Sequence, residues 1–207
     1  MTALLESPTT PAAPALDEAA ADLLFREAHT AYGFTDEPVT PGQVERLYEL
    51  LRFPPTAMNT QPLRVVLIST PEAKERLLPH LAEGNRAKSA SAPLVAVLAA
   101  DTDFHEHLPR LLPHAPGAKD RFADDERREQ AARFNATLQA GYFILAVRAV
   151  GLDAGPMGGF DAAGVDRDLL GDGALRSFLV VNIGHAAPDG TYPRSPRLGR
   201  DEVFLSL

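Results

Sequence analysis

The segment from Pro93 to Ala100, PLVAVLAA, constrains the fold of this chain more than any other segment. A short run that is nearly continuous in apolar residues predicts a strand that is buried on both of its faces. Such a strand lies inside a sheet that is covered by helices on either side. LRVVLIS at residues 63–69 and SFLVVNI at residues 177–183 have the same character, so the sequence predicts three buried strands.

Helical patterns separate these strands. Thr40-Pro41 is an N-cap followed by proline at the first helical position. The longest helical pattern spans 127–150, and its middle, residues 136–146, is apolar nearly all round, which is typical of a central helix. The Gly84-Asn85 pair is expected to end a helix. The segments 101–124 and 151–160 are expected to be irregular, and residues 203–205 resemble a strand. The predicted helices span residues 16–31, 41–52, 70–82, 127–150 and 166–170. Helices that alternate with buried strands indicate a layered α+β or α/β fold.

Composition limits the classes of function. The formal net charge is -8 and the chain has no cysteine, so disulfides, thiolate catalysis and cysteine metal sites are excluded. An acidic chain lacks the basic surface that nucleic acids and anionic membranes require, and neither is expected as a partner. No apolar run reaches the roughly 18 residues of a membrane span, and the N-terminus has no secretory signal. We expect a cytoplasmic protein with a flexible tail at 1–15 and a single domain at 16–207.

Motifs for several enzyme classes are missing. The glycines form neither GxGxxG after a strand nor a phosphate-binding P-loop, and there is no GxSxG elbow. His105 and His107 form an HxH pair, but no third ligand is apparent, so no metal site is predicted. A metal or cofactor-free hydrolase that uses His105, His107 and His114 stays open as an alternative.

Four distant segments share donors and small residues that suit an anionic, planar ligand. Carboxamides and an ammonium come from the first segment, residues 55–62, and the second, residues 84–88. These groups can bind a ring that carries alternating hydrogen-bond donors and acceptors. The third supplies glycines that let the backbone approach a flat ligand closely. The fourth supplies guanidinium groups suited to phosphate. The candidate residues are Thr56, Asn59 and Gln61; Asn85 and Lys88; Pro156, Met157, Gly158 and Gly159; and Arg194 and Arg197.

These segments resemble the FMN-dependent nitroreductase family in order and spacing from about residue 24 to residue 207. The resembling motifs are PTAMNTQP, NRAK, GLDAGPMGGFD and YPRSPRL. The resemblance implies an α+β fold in which a central mixed sheet is flanked by helices and FMN lies at the interface of a homodimer. It also implies ping-pong reduction of a small aldehyde, nitro or quinone acceptor by NADH or NADPH. The third motif, together with AYGFTDEPVT, is most similar to the malonic semialdehyde reductase branch, which makes 3-hydroxypropionate.

The resemblance also implies which subunit supplies each group. The carboxamides come from one subunit: Thr56, Asn59 and Gln61. The remaining contacts come from the other: Asn85, Lys88, Met157, Gly158 and Arg197, with Arg194 as a further candidate and Pro156 and Gly159 beside them. No side chain acts as a nucleophile, and Lys88 stabilises negative charge on the reduced flavin.

One position departs from the family pattern. The family places an arginine against the FMN phosphate near the N-terminus, whereas this chain has His29 followed by Thr30. An imidazole carries less charge than a guanidinium at neutral pH, so FMN affinity is expected to be weaker or sensitive to pH. A non-catalytic flavin-binding protein with a weakened phosphate site therefore stays open as an alternative.

Overall fold

A computed structural model describes residues 15–171 and 173–207 of the chain. The tail predicted at 1–15 lies, except for its last residue, outside the described residues. Four strands form one sheet in the order β1-β2-β4-β3. The strands are β1 Leu63–Ile68, β2 Leu94–Asp101, β3 Asp153–Met157 and β4 Leu175–Gly184. The three strands predicted from apolar runs are thus confirmed as β1, β2 and β4.

Helices surround the sheet, and most begin at a side chain that caps them. The Thr40 and Gln43 side chains form a capping box, and Asp124 accepts a hydrogen bond from the Arg127 backbone N–H, which satisfies amides that the first turn leaves free. The α-helices are α1 Glu18–Ala21, α2 Pro41–Leu51, α3 Pro71–Leu77, α4 Glu83–Ser91, α5 Leu108–Leu111, α6 Asp125–Ala149, α7 Ala162–Leu169 and α8 Arg200–Val203. A π-helical turn spans Asp22–Arg26, and 3-10 turns span Ala57–Asn59, Leu78–His80, Phe104–His107 and Lys119–Phe122.

All pairings in the described sheet are antiparallel, so the expectation of a mixed sheet was wrong for the single chain. Two helices, α3 and α4, connect β1 to β2. The α+β class itself is confirmed.

The central strand β2 is buried along its whole length, and its side chains alternate between two cores. Leu94, Ala96 and Leu98 pack in the cluster that contains α2 and α6. Val95 and Val97 pack on the opposite face in the cluster that contains α3 and α7. The period of two places successive side chains on opposite faces of a strand, which explains why the run has no polar residue.

Three predicted helices have different bounds in the structure, and the one expected over 166–170 is α7, which begins at Ala162. The first was expected over 16–31, but α1 and its π-helical turn end at Arg26. The helix predicted over 70–82 ends at Leu77, because Pro79 allows only a short 3-10 turn beyond it. Gly84 and Asn85 do not break a helix: they lie in the first turn of α4, where unpaired amides make such residues tolerable.

The segment expected to be an irregular turn over 151–160 contains the edge strand β3. Gly155 lies in this strand, and a Cβ atom there would approach the Ala31 carbonyl oxygen to 2.4 Å. Glycine therefore lets the segment around Ala31 lie directly on β3, where the Ala31 N–H donates to the Ala154 carbonyl at 3.1 Å. The prediction of a strand at 203–205 was also wrong, since α8 continues through Val203.

The described residues contain no helix of the length and apolar character that crossing a bilayer requires.

Candidate functional site

A cleft of about 320 Å³ opens beside the C-terminal end of β3. The helix α4 forms one wall, and the segment that precedes α2 forms the other. It is lined by Thr30, Ala31, Tyr32, Asn85, Lys88, Gly155, Pro156, Met157 and Gly158. The structure therefore brings together six of the residues singled out in the sequence: Thr30, Asn85, Lys88, Pro156, Met157 and Gly158.

Lys88 is the cation of this cleft, and its position is fixed by neighbours. Asn85 and Lys88 lie one turn apart on α4, which places both side chains on the same helix face. The Lys88 ammonium donates to Asn85 Oδ1 at 3.0 Å, and Asn85 Nδ2 donates to the Gly159 carbonyl at 3.0 Å. This chain of bonds connects α4 to the loop after β3 and holds a positive charge at the opening of the cleft.

Two glycines after β3 have different surroundings. A Cβ at Gly158 would meet no heavy atom within 4 Å, so this residue borders open space. A Cβ at Gly159 would come within 3.0 Å of Asn85 Nδ2. Gly159 is therefore needed for the contact with α4, whereas Gly158 leaves room at the cleft for a ligand to approach the backbone.

Two arginines converge on the backbone beside His29. Arg148 is buried and donates to the His29 carbonyl, and Asp153 lies 3.6 Å from its guanidinium. Burial lowers the pKa of Arg148, while the Asp153 carboxylate raises it and Arg194 lowers it. Arg194 donates to the Arg26 and Ala28 carbonyls. His29 Nδ1 lies 3.0 Å from the Tyr192 carbonyl, so this segment and the C-terminal segment are bound to each other.

The carboxamide loop, Thr56–Gln61, lies apart from the cleft. Three of its residues, Met58, Asn59 and Gln61, have positive φ angles of 54°, 55° and 43°. Residues other than glycine rarely adopt this region, and they do so mainly where the surrounding structure enforces it. Gln61 Nε2 donates to Asn59 Oδ1 at 2.7 Å, and Asn59 Nδ2 donates to the Leu111 carbonyl at 2.8 Å.

Two buried side chains of α6 anchor this loop. Asn135 Oδ1 accepts from the Ala57 N–H at 2.8 Å, and Gln139 Oε1 accepts from the Leu63 N–H at 3.0 Å. Thr56 contributes from within the loop, since its hydroxyl accepts from the Gln61 N–H at 3.2 Å. The anchors hold both ends of a strained conformation.

The predicted site residues thus fall into four places. The cleft has six of them, with Gly159 beside it, while His29 and Arg194 lie together on the neighbouring segment. Thr56, Asn59 and Gln61 lie in the carboxamide loop, and within one chain they do not line the cleft. Arg197 is exposed and donates to the Ser195 and Pro196 carbonyls. Sequence reasoning missed Tyr32, Asn135 and Gln139; a polar residue amid the apolar face of α6 was the available signal for the last two.

The histidines of the alternative hydrolase show no ligand geometry. His107 Nε2 lies 3.8 Å from Asp101 Oδ2, and His105 Nε2 lies 3.6 Å from Glu106 Oε1. Over residues 15–171 and 173–207, no three histidine, aspartate or glutamate side chains are grouped so that they could hold a metal ion. Nothing in the geometry favours that alternative.

Known proteins match this chain over most of its length. Residues 25–185 match the profile of the Nitroreductase family. A relative from Streptomyces griseus subsp. griseus, named "Putative NADH dehydrogenase/NAD(P)H nitroreductase", is 58 % identical over 193 residues, which cover 93 % of this chain and 98 % of the relative.

Solved structures share the fold. A nitroreductase family protein from Streptococcus pneumoniae superposes with a TM-score of 0.76 at 24 % identity, covering 89 % of this chain and 98 % of its own. A protein from Exiguobacterium sibiricum, solved in complex with FMN, superposes with a TM-score of 0.77 at 18 % identity, covering 90 % of this chain and 96 % of its own. The nitroreductase-like fold expected from the motifs is therefore confirmed.

Proposed function

The chain belongs to the nitroreductase family, and from that premise we propose that it is an FMN-dependent oxidoreductase that uses NADH or NADPH to reduce a small organic acceptor. The observation that carries the proposal is the cleft, in which an ammonium, a carboxamide and an open glycine converge beside β3. The names of relatives such as the Streptomyces griseus protein support the use of NAD(P)H.

The residues present fit a flat, anionic cofactor. The cleft has a cation at Lys88 and hydroxyl and carboxamide groups at Thr30 and Asn85. The open space at Gly158 leaves the backbone accessible to a planar ring. Arg194 and Arg148 add positive charge near His29, so the substitution of histidine for the family's arginine does not leave that segment without cations.

When bound, FMN supplies the chemistry of accepting a hydride from NAD(P)H and passing it to the acceptor. Lys88 stabilises negative charge where it develops, because a fixed ammonium in a sheltered cleft needs little reorganisation. Asn85 positions Lys88 through its Oδ1 atom and connects it to Gly159. No protein nucleophile is required for this chemistry.

A homodimer completes this proposal. Phe134, Leu138 and Tyr142 lie four residues apart on α6 and form one apolar stripe, yet they are 65 %, 44 % and 46 % exposed. A contiguous exposed stripe on a long helix is typical of a surface that binds a partner. The carboxamide loop is anchored to the same helix through Asn135. A second copy docked on the stripe is therefore the source of the carboxamides for the cleft.

We propose malonic semialdehyde or a nitro or quinone compound as the acceptor. A small carboxylate-bearing aldehyde matches a modest cleft that has a cation at its opening, because Lys88 attracts the carboxylate. The resemblance of GPMGGFD to the malonic semialdehyde reductase branch supports the aldehyde, whereas the names of the relatives support a nitro compound.

The test uses the purified full chain. We expect it to bind FMN in a one-to-one ratio, visible as flavin absorbance, and to oxidise NADH or NADPH when malonic semialdehyde or a nitroaromatic is added. Comparing the two acceptors at equal concentration identifies the preferred class. A protein that binds FMN but oxidises neither nucleotide with any acceptor is a flavin-binding protein without catalysis, and a protein that takes up no FMN contradicts the proposal altogether.

A further inference from the structure

Tyr32 lies against Lys88 on the wall of the cleft, and no role described so far uses it. The Lys88 Nζ atom lies 5.1 Å from the centroid of the Tyr32 ring. The same ammonium donates to Asn85 Oδ1 at 3.0 Å. In the part of the chain that the structure describes, no carboxylate oxygen lies within 4.0 Å of this Nζ atom. The aromatic face and one neutral carboxamide are thus the neighbours that hold the charge.

We propose that Tyr32 is a positioning residue for Lys88: its ring face holds the ammonium at the cleft without neutralising the charge. A carboxylate in this place would pair with Lys88 and cancel the field that a bound anion experiences. An aromatic face attracts a cation through its quadrupole and leaves the net charge unchanged. The inference rests on the proposed function, since the charge matters only if the cleft binds an anionic cofactor.

The orientation of the Tyr32 ring is itself fixed by the C-terminal segment. The Tyr192 ring lies 4.4 Å away, centroid to centroid, at an interplanar angle of 57°. The Tyr32 backbone N–H donates to the Gly190 carbonyl at 2.7 Å, and Ala31 forms a bridge with Thr191. The ring is therefore held from its backbone and from one side, which restricts where the ammonium can lie.

The experiment compares Tyr32→Leu and Tyr32→Phe with a matched control, Tyr48→Leu. Tyr48 lies on α2 and has its own cation–π contact, with Arg52 at 5.9 Å, but it is not part of the cleft. The FMN dissociation constant and the midpoint potential of bound FMN are measured for each. We expect Tyr32→Leu to weaken FMN binding about two- to fivefold, the range that an exposed to half-buried cation–π contact supplies, and to shift the potential to more negative values.

The ring face predicts a specific pattern among the variants. Tyr32→Phe keeps the face and should retain both the affinity and the potential of the wild type, and Tyr48→Leu should change neither. In a Lys88→Met background, Tyr32→Leu should have no further effect. If Tyr32→Leu binds FMN with the affinity and potential of the wild type, or if its effect persists without Lys88, the inference is wrong although the proposed function stands.

Two further outcomes distinguish a failure of this inference from a failure of the proposed function. A loss in Tyr32→Phe as large as that in Tyr32→Leu would assign the effect to the hydroxyl and overturn the inference. A wild-type protein that takes up no FMN contradicts the proposed function, on which this inference rests. If Tyr32→Leu does not fold, pentafluorophenylalanine at position 32 keeps the ring shape but reverses its face electrostatics; it should weaken FMN binding, and unchanged binding contradicts the inference.

Discussion

Replacing Asn135 and Gln139 by alanine is expected to release the carboxamide loop while the rest of the fold stays intact. Asn135 accepts from the Ala57 N–H and Gln139 accepts from the Leu63 N–H, at 2.8 and 3.0 Å. Both side chains are buried, at 3 % and 6 % exposed. Asn135→Ala therefore leaves the Ala57 N–H of the loop without its partner, and Gln139→Ala leaves the Leu63 N–H at the start of β1 without its partner.

The expected magnitude follows from two opposing terms. Both bonds are only partly buried and Ala57 is exposed, so water can replace a lost partner. Each bond then contributes about 0.5–1.5 kcal/mol, and the double variant loses roughly 1–3 kcal/mol of anchoring. Met58, Asn59 and Gln61 occupy the left-handed region, which costs roughly 1–2 kcal/mol for each residue that is not glycine. The strain of the loop and the strength of its anchors are of similar size, so the observed loop conformation depends on the anchors.

Hydrogen exchange measured by mass spectrometry tests this balance. Exchange in peptides that cover residues 54–64 should accelerate about tenfold for each 1.4 kcal/mol lost, and more in the double variant than in either single one. Exchange in β2 should not change. Gln130→Ala is the matched control, since Gln130 lies on the exposed side of α6 and its amide bonds only to Glu126. Wild-type exchange of the loop in the double variant, or equal acceleration in β2, would refute the reasoning.

Three other substitutions test separate parts of the structure. Gly158→Ala should weaken FMN binding about tenfold, or 1.4 kcal/mol, without lowering the thermal midpoint. The control Gly42→Ala on α2 should leave FMN binding unchanged. A destabilised Gly158→Ala variant would show that the residue serves packing. Leu138→Asp should yield a monomer in sedimentation and lose FMN, and an intact dimer would exclude the α6 stripe as the interface. A double-mutant cycle on His80 and Asp168, 2.8 Å apart, should give a coupling of about 0.5–1 kcal/mol. Zero coupling would mean that this contact does not stabilise the packing of α7 on the 3-10 turn Leu78–His80.

The strands could be predicted wherever burial alone determines the residue type. β2 needs apolar side chains on both faces, and its sequence has them from Leu94 to Ala100. The edge strand β3 could not be predicted in this way, because its sequence, DAGPM, contains glycine and proline. Its backbone pairs with β4, and Gly155 is required by the close approach of the Ala31 carbonyl. Contacts between distant segments, and not local propensity, decide that this segment is extended.

The residues of the candidate site could likewise be predicted only in part. The NRAK motif placed Asn85 and Lys88 one turn apart if helical, and α4 has that geometry. Tyr32 carried no such signal, since its contact with Lys88 joins residues that are far apart in the chain. The positive φ angles of the carboxamide loop were equally hidden, because Met58 and Gln61 have no preference for the left-handed region. Motifs could predict which residues matter, but not which neighbours hold them.

The long helix α6 explains why the two groups of site residues stay apart in one chain. The middle of its sequence is apolar nearly all round, which predicts burial on every side of that part. In the structure Ala132, Ala136 and Ala140 face the core, yet Phe134 and Leu138 remain exposed. A helix that is apolar on both faces needs a second surface to cover the face that its own sheet cannot reach. The same helix anchors the carboxamide loop, so in the proposed homodimer the copy that covers the stripe would also determine which cleft the loop can serve.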